Sequence, residues 1–127
     1  MRFLRPHQDR VFSIARLVIG LLFAEHGAQK LFGLLGGNQQ PLMSLIGVAG
    51  MIEFFGGLLI AFGLFTAVVA FIASGEMAVA YFRSHAPNGF WPIQNRGEMA
   101  VFYCFFFLYL ASRGPGVWSL DAWRKRP

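Results

Sequence analysis

Four apolar stretches dominate this sequence, and each is long enough to cross all or most of a bilayer as a helix. They occupy residues 11–33, 42–62, 65–82 and 97–112. A membrane-spanning helix needs about 20 mostly apolar residues. Only 13% of the 127 residues are charged, whereas roughly 25% are charged in a soluble domain. The pattern predicts an all-α integral membrane protein, with residues 1–127 forming a single four-helix bundle domain.

Basic residues gather before the first apolar stretch and after the last one. They are Arg2, Arg5 and Arg10 at one end, and Arg113, Arg124, Lys125 and Arg126 at the other. Because cytoplasmic flanks of membrane helices are enriched in Lys and Arg, we expect both termini to be cytoplasmic, which requires an even number of spans. The net charge of +5 does not indicate a nucleic-acid partner, since the cations do not share one face or stripe.

Small residues recur at helical spacing in the first three stretches. These stripes are Gly20-Ala24-Ala28, Gly57-Ala61 and Ala70-Ser74-Ala78. Such stripes let membrane helices approach closely, so they favour a compact bundle. The very short turn at 63–66 predicts an antiparallel pair of neighbours, residues 83–96 are expected to form a loop, and the aromatic and basic tail at 117–126 is expected to lie at the membrane interface.

Each apolar stretch also carries one glutamate, and further polar residues accompany them. The candidate ligand-binding or proton-relay residues are Glu25, His26, Lys30, Glu53, Glu76, Arg83 and Glu98. With both termini on one side, all four glutamates fall between the midplane and the opposite surface. Ionisable groups inside a membrane usually face the bundle interior and mark a functional site. We expect one polar pocket there; the alternative is that the carboxylates only hydrogen-bond one helix to another.

The sequence offers no residues for an intrinsic redox centre or metal site. Cys104 is the only cysteine, so neither an intrachain disulfide nor a CxxC motif exists. No Glu-x-x-His pair of the kind used by di-metal helical bundles is present, and no glycine-rich dinucleotide or phosphate loop is visible. We therefore expect no metal and no intrinsic cofactor, and no catalytic residue is assigned.

An ordered set of motifs runs along most of the chain. Residues 15–33 contain Arg16, Gly27 and Lys30 before an apolar aromatic pair, and the motifs continue at 50–57, 63–66 and 114–121. In this order and spacing they resemble the DoxX family of small bacterial and archaeal membrane proteins. The resemblance implies a four-helix protein of the bacterial inner membrane. It also marks Arg16, Gly27, Lys30 and Glu53 as structural or site positions.

The resemblance further implies a functional context. The family is named after a subunit of a thiosulfate:quinone oxidoreductase, and other members are associated with oxidative or quinone stress and with membrane complexes of redox enzymes. It implies a membrane redox subunit without its own redox cofactor. A quinone is then the candidate ligand, and peripheral redox enzymes or a second copy of the chain are candidate partners. The alternative is a non-enzymatic membrane protein, either a proton or solute conductor or a scaffold that docks peripheral enzymes.

Overall fold

The computed structural model describes residues 1–125, and none of them lies in a β-strand. The long helices are α1 (Gln8–Phe32), α2 (Leu45–Phe62), α3 (Thr66–Ala80) and α5 (Glu98–Arg113); two short helices are α4 (Pro92–Asn95) and α6 (Leu120–Arg124). The all-helical prediction is confirmed, and the long helices begin and end within about three residues of the predicted bounds. Arg126, counted above among the basic tail residues, lies outside the described part of the chain.

Three helical segments are long and apolar enough to cross a membrane, namely Arg5–Phe32, Leu45–Phe62 and Thr66–Asn88. Helix α5 has 16 residues, which at 1.5 Å per residue is about 24 Å, less than the roughly 30 Å of bilayer hydrocarbon. The crossing of the bilayer by α5 and the cytoplasmic position of both termini stay predictions.

Close backbone contact joins α1 to α2 along the predicted stripes of small residues. A Cβ atom added to Gly57 would lie 2.5 Å from the backbone nitrogen of Ala24, and one added to Gly20 would lie 2.6 Å from that of Ala61. Side chains at these positions would force the helices apart. The prediction that small residues set the helix spacing is confirmed for this pair, because dispersion between close backbones drives association where lipid replaces water.

Aromatic rings and a serine join α3 and α5 to the rest of the bundle. Phe23 of α1 and Phe107 of α5 are both fully buried, and their ring centroids are 4.7 Å apart in an edge-to-face arrangement. The Ser74 hydroxyl donates a hydrogen bond to the Cys104 carbonyl at 2.8 Å. Tyr103 and Phe107 of the fourth apolar stretch therefore fill the centre of the bundle, while Phe102, Phe105 and Tyr109 are exposed on its outside. The α3 stripe faces α5.

The loop expected at 83–96 is largely helical instead. A π-helical turn (Tyr81–His85) and a 3-10 turn (Ala86–Asn88) extend α3, and α4 follows. Asn95 is 4% exposed, and its amide nitrogen donates to the Gly89 carbonyl at 2.9 Å. The loop prediction was wrong because this buried amide satisfies backbone groups of a compact cap, which local composition does not reveal.

The chain termini define one end of the bundle, the terminal end, and Arg16 lies at its centre with 2% exposure. The Arg16 guanidinium donates to the carbonyls of Ile60 at 2.9 Å, Ala61 at 3.2 Å and Trp118 at 2.7 Å, and also to that of Pro115. The Arg16 side chain, which belongs to α1, therefore connects α1 both to the last turn of α2 and to the C-terminal tail. The C-terminal carbonyls of a helix favour a cation because they have no intrahelical partner.

Asp121 makes another contact between the tail and the bundle. Its two carboxylate oxygens accept hydrogen bonds from the backbone N–H groups of Phe65 and Thr66, each at 2.9 Å. The backbone N–H of Asp121 donates in turn to the Gly63 carbonyl at 2.8 Å. The carboxylate therefore caps the first turn of α3, where unpaired N–H groups favour an anion.

Candidate functional site

A cleft of about 580 Å³ lies at the other end of the bundle, which we call the distal end, between the first half of α2 and the second half of α3. Its apolar wall includes Leu45, Ile46, Val48, Ile52, Ile72 and Val79, and its polar residues include Lys30, Glu53, Glu76 and Arg83. Most of the apolar wall residues are exposed on the flank of the bundle. The two helices that carry this wall, α2 and α3, have the length and hydropathy of spanning helices.

A salt bridge crosses the inner end of the cleft. The Lys30 ammonium nitrogen lies 2.6 Å from each carboxylate oxygen of Glu53. The Glu53 side chain is 3% exposed and that of Lys30 is 30% exposed. Lys30 comes from the last turns of α1, and Glu53 comes from the middle of α2. The pair satisfies a carboxylate that would be costly to leave alone in hydrocarbon.

Glu76 lies in the same cleft with an incomplete set of hydrogen bonds. Its Oε2 atom is buried and has no hydrogen-bond partner among residues 1–125. Leaving a buried polar atom unpaired costs about 1–3 kcal/mol, and more for a charged group. Buried polar groups in native proteins are nearly always paired. Glu76 therefore has hydrogen-bonding capacity that the described chain does not use, on a residue that lines the cleft.

Two irregular helical turns flank this cleft. The π-helical turn Ile52–Gly56 carries Glu53, and the π-helical turn Tyr81–His85 carries Arg83. A π-helical turn adds one residue to the helical register, so the side chains on it point in directions that a regular helix would not allow. Such turns are frequent at functional sites. Their position on both walls supports the cleft as the functional site.

Three of the sequence-predicted candidates lie outside the cleft, which corrects the expectation of a single cluster. Glu25, His26 and Glu98 are exposed and do not line it. The close-packed face of α1 contains Ala24 and Ala28, so residues 25 and 26 project about 100° and 160° away from the direction of Ala24. Their role as ligand-binding or relay residues stays an untested prediction.

Glu98 fails to reach the cleft for a related reason. It is the first residue of α5, and the buried positions of that helix begin at Ala100 and Tyr103. The sequence places all four glutamates in the same half of the protein, but depth alone does not determine which face of a helix a residue occupies. The structure therefore brings Lys30, Glu53, Glu76 and Arg83 together and leaves the other candidates apart.

Sequence reasoning missed several polar groups. Gln40, Ser44 and Ser84 also line the cleft, and the Tyr103 hydroxyl is buried with no hydrogen-bond partner in the described chain. One signal was available. A serine directly before an apolar run is a typical helix N-cap, and Ser44 accepts a hydrogen bond from the Gly47 backbone N–H at 3.0 Å.

The arrangement favours binding through apolar contact and hydrogen bonds. Across residues 1–125, no group of three or more His, Cys, Asp or Glu side chains is placed to hold a metal ion. The cleft volume falls in the range of small-molecule sites, which combine apolar walls with a few placed polar groups.

The family model for DoxX matches residues 11–86, which include both walls of the cleft. This chain belongs to the DoxX family. The positions that the resemblance marked have clear roles in this DoxX protein: Arg16 binds the terminal end together, and Lys30 pairs with Glu53. Gly27 allows contact with α2, since an added Cβ atom would lie 2.2 Å from the Phe54 backbone nitrogen.

Two relatives match the DoxX protein over nearly its full length. An uncharacterized protein of Haemophilus influenzae is 38% identical over 128 residues, covering 95% of this chain and 96% of the relative. The inner membrane protein YqjF of Escherichia coli K12 is 31% identical over 123 residues, covering 90% and 92%. No solved structure matches the chain. Family, relative and apolar helices together place it in the bacterial inner membrane as a multi-pass protein.

Proposed function

We propose that this protein binds a small amphipathic ring compound of the quinone type in the distal cleft, as the membrane subunit of a quinone-linked or oxidative-stress-related redox system. One observation carries the proposal. The cleft has an apolar wall that faces the membrane, and it ends at the Lys30–Glu53 pair and the unpaired Glu76 oxygen. A molecule with an apolar ring and polar ring substituents matches both parts.

The position of the cleft supports entry from the bilayer. Quinones dissolve in the hydrocarbon, and a groove on the flank of the bundle admits them without passage through water. Electrons reach the bound ring from a partner protein in this proposal, because the chain brings no redox centre that its sequence reveals.

The test is binding of duroquinone to the purified protein in lipid nanodiscs, with empty nanodiscs subtracted. Ile72 lines the cleft, and its neighbour Phe71 is 66% exposed and lies outside it. We expect Ile72→Trp to fill the cleft and weaken binding at least about ten-fold. Phe71→Trp places the same ring on the lipid side and is expected to leave binding unchanged. Equal binding by the wild type and both variants would contradict the proposal.

A second candidate function is proton conduction, favoured by unpaired polar groups inside the bundle. Glu76 Oε2 and the Tyr103 hydroxyl are both buried without partners in the described residues, and buried ionisable groups also form proton relays. In proteoliposomes, a conductor would lose proton flux on Glu76→Gln and keep it on Glu98→Gln, since Glu98 is exposed. Flux equal to that of empty liposomes would exclude this function.

A scaffold role rests on the exposed end of the tail. Trp123, Arg124 and Lys125 are exposed on α6. Deletion of the tail is an ambiguous test, because it also removes the acceptors of Arg16 and the Asp121 cap. The sharper test is co-purification of soluble proteins with the double variant Arg124→Glu/Lys125→Glu. A scaffold would lose its partners, and unchanged co-purification would argue against this surface.

A further inference from the structure

Arg83 is a cation of the cleft that has no counter-ion in the described chain. Its side chain is exposed, and it lines the distal part of the cleft. The two ion pairs formed among residues 1–125 join Lys30 to Glu53 and Arg113 to Asp9. The guanidinium of Arg83 is therefore open to an anionic group from outside the chain. Phosphate oxygens fit its planar fork in a bidentate geometry.

A second groove shares Arg83 with the cleft. It has a volume of about 500 Å³ and is lined by Ala78, Val79, Phe82 and Arg83. Val79 and Arg83 are the residues that line both this groove and the cleft. They are four positions apart on the chain and therefore share one face of the helix. The two side chains form a ridge that has an apolar depression on each side and a cation at its distal end.

This ridge lies in a segment that has the composition of a membrane span. Thr66–Asn88 is long and apolar enough to cross a bilayer, and Arg83 is five residues from its distal end. That distance is about 7.5 Å along a helix axis, which a long arginine side chain bridges to reach the headgroups. Gly75 lies two turns deeper on the cleft wall, and an added Cβ atom there would meet nothing within 4 Å. The cleft is therefore open below the ridge.

The charges of the cleft determine where an anion is favoured. At the inner end, Lys30 already donates to both oxygens of Glu53, and Glu76 adds a second carboxyl group. An anion at the inner end would be repelled by carboxylates and would find its cation engaged. At the distal mouth, the polar side chains that line the cleft carry one charge, which is positive; they are Gln40, Ser44, Arg83 and Ser84. An anion is favoured at this mouth, whereas an ammonium group would find no carboxylate among these side chains.

We propose that Arg83 and the two grooves form a binding site for an anionic phospholipid. The lipid phosphate pairs with Arg83, one acyl chain lies in the cleft, and the other lies in the second groove. A diacyl lipid has one phosphate and two chains that diverge from it, which matches a cation on a ridge between two apolar grooves. A soluble phosphate ester would use only the cation. This site does not rest on the proposed function, which depends on the polar groups at the inner end of the cleft.

The first part of the test compares two lipids with the same palmitoyl and oleoyl chains, anionic phosphatidylglycerol and zwitterionic phosphatidylethanolamine. Each is titrated into the delipidated protein in detergent, and native mass spectrometry measures the bound lipid. We expect the wild type to bind phosphatidylglycerol about ten-fold more tightly, the effect of roughly one charge-assisted hydrogen bond. Arg83→Gln is expected to reduce this ratio to about one. Arg96→Gln, a change at another exposed arginine of the distal end that lines neither groove, is the control and is expected to preserve the ratio.

The second part tests the two chains with lysophosphatidylglycerol, which has the same headgroup and a single chain. Ala78 lines the second groove and not the cleft. Ala78→Phe is therefore expected to weaken phosphatidylglycerol at least about five-fold and to leave lysophosphatidylglycerol unchanged, because its one chain uses the cleft. Ala67→Phe, at an exposed position outside both grooves, is expected to change neither. If Ala78→Phe fails to fold, the smaller Ala78→Leu takes its place with the same direction of change.

Three results would overturn the proposal. One is a wild-type ratio of about one, or a ratio that Arg83→Gln and Arg96→Gln leave equally unchanged. Another is equal binding of phosphatidylglycerol by the variants at residues 78 and 67. The third is displacement of phosphatidylglycerol by glycerol 3-phosphate, which has the phosphate and no chain and would assign Arg83 to a soluble ligand. Binding of duroquinone is measured separately, so these results leave the proposed function standing.

Discussion

Two buried ionisable side chains at opposite ends of the bundle, Arg16 and Glu76, differ in their hydrogen bonding. At the terminal end, Arg16 donates to four backbone carbonyls and is 2% exposed. In the distal cleft, Glu76 has a buried oxygen with no partner among the described residues. A polar group that is fully paired within the chain stabilises the fold, and one that is left unpaired beside a cavity is available to a ligand. The contrast separates a structural cation from a candidate binding carboxylate.

The largest expected effect is at Arg16. Arg16→Ala removes the donor for four carbonyls that stay in a poorly hydrated place, and hydrogen bonds to charged groups contribute about 1.5–3 kcal/mol each. We expect the free energy of unfolding in detergent to fall by at least about 3 kcal/mol. Arg16→Lys is expected to recover only part of it, because one ammonium cannot reach carbonyls on α2 and the tail together.

The control for Arg16 is Arg5→Ala, which removes an exposed arginine at the same end. Its unfolding free energy is expected to match that of the wild type. If Arg16→Ala unfolded like this control, the terminal end would not depend on the guanidinium.

The salt bridge in the cleft gives the next largest effect and distinguishes the two ends. Lys30→Met leaves Glu53 buried without its partner, and breaking such a pair costs about 3–5 kcal/mol when it is fully buried. Since Lys30 is 30% exposed, we expect a loss at or below the lower end of that range.

The double variant Lys30→Met/Glu53→Met completes the test of the salt bridge. It replaces the pair with apolar side chains of similar length and is expected to regain most of the unfolding free energy, while the affinity for duroquinone falls. No such compensation exists at Arg16, whose partners are backbone carbonyls. A double variant that is less stable than Lys30→Met alone would show that the pair is structural.

Asp121 gives a smaller, pH-dependent effect at the terminal end. Partial burial alone would raise the pKa of its carboxyl group, but hydrogen bonds from Thr66 and Phe65 and the charge of Arg124 outweigh this and hold the pKa below its usual value. The folded-state pKa is therefore lower than that of the unfolded chain. The stabilisation is complete above the ordinary value of about 4 and is lost as the pH falls through the lowered pKa.

Hydrogen exchange checks this pH dependence at the Phe65 and Thr66 amides. Their protection factors are expected to fall at acidic pH in the wild type. Asp121→Asn keeps an acceptor but has no charge. In this variant the opening free energy of the two amides at pH 7 is expected to be about 1 kcal/mol lower than in the wild type, and it is expected not to change with pH. A wild-type protection factor that does not change down to low pH would rule out the carboxylate cap.

The last comparison is between a glycine in the close-packed pair of helices and the one in the cleft, and the change at Gly75 is the smallest expected effect. Gly57→Ala places a methyl group against the backbone of α1 and is expected to destabilise the protein, as overpacking does by about 1–3 kcal/mol. Gly75→Ala is expected to stabilise it by about 0.5–1 kcal/mol, because nothing clashes and helix propensity improves. Thermal unfolding in one detergent measures both changes. If Gly75→Ala destabilised the protein, the absence of a side chain at residue 75 would be a structural requirement.

Much of the fold could be predicted because its determinants are local. Apolar stretches of spanning length gave the long helices, and small residues at helical spacing gave the contact of α1 with α2. The helical cap at 81–97 could not be predicted. It depends on hydrogen bonds between Asn95 and backbone groups of the same segment, and the positions of those groups do not follow from local sequence. The resemblance marked Arg16 as a structural or site position, but its acceptors could not be predicted, since they lie about 45 and 100 residues away.

The candidate site was only partly predictable. Depth in the membrane follows from counting residues, and this placed Lys30, Glu53, Glu76 and Arg83 in one half of the bundle. The face that each residue occupies follows from helix packing, and this is where Glu25, His26 and Glu98 separate from the cleft. The π-helical turns at 52–56 and 81–85 shift the register without a sequence signal, so the juxtaposition needed the structure.

Hydrogen–deuterium exchange of the protein in nanodiscs, with and without duroquinone, tests the central claim most directly. We expect ligand-dependent protection in residues 45–53 and 72–84, which form the walls of the cleft, and no change at 60–66 and 115–121 around Arg16. Protection that is absent, or that appears at the terminal end instead, would contradict the assignment of the distal cleft as the binding site.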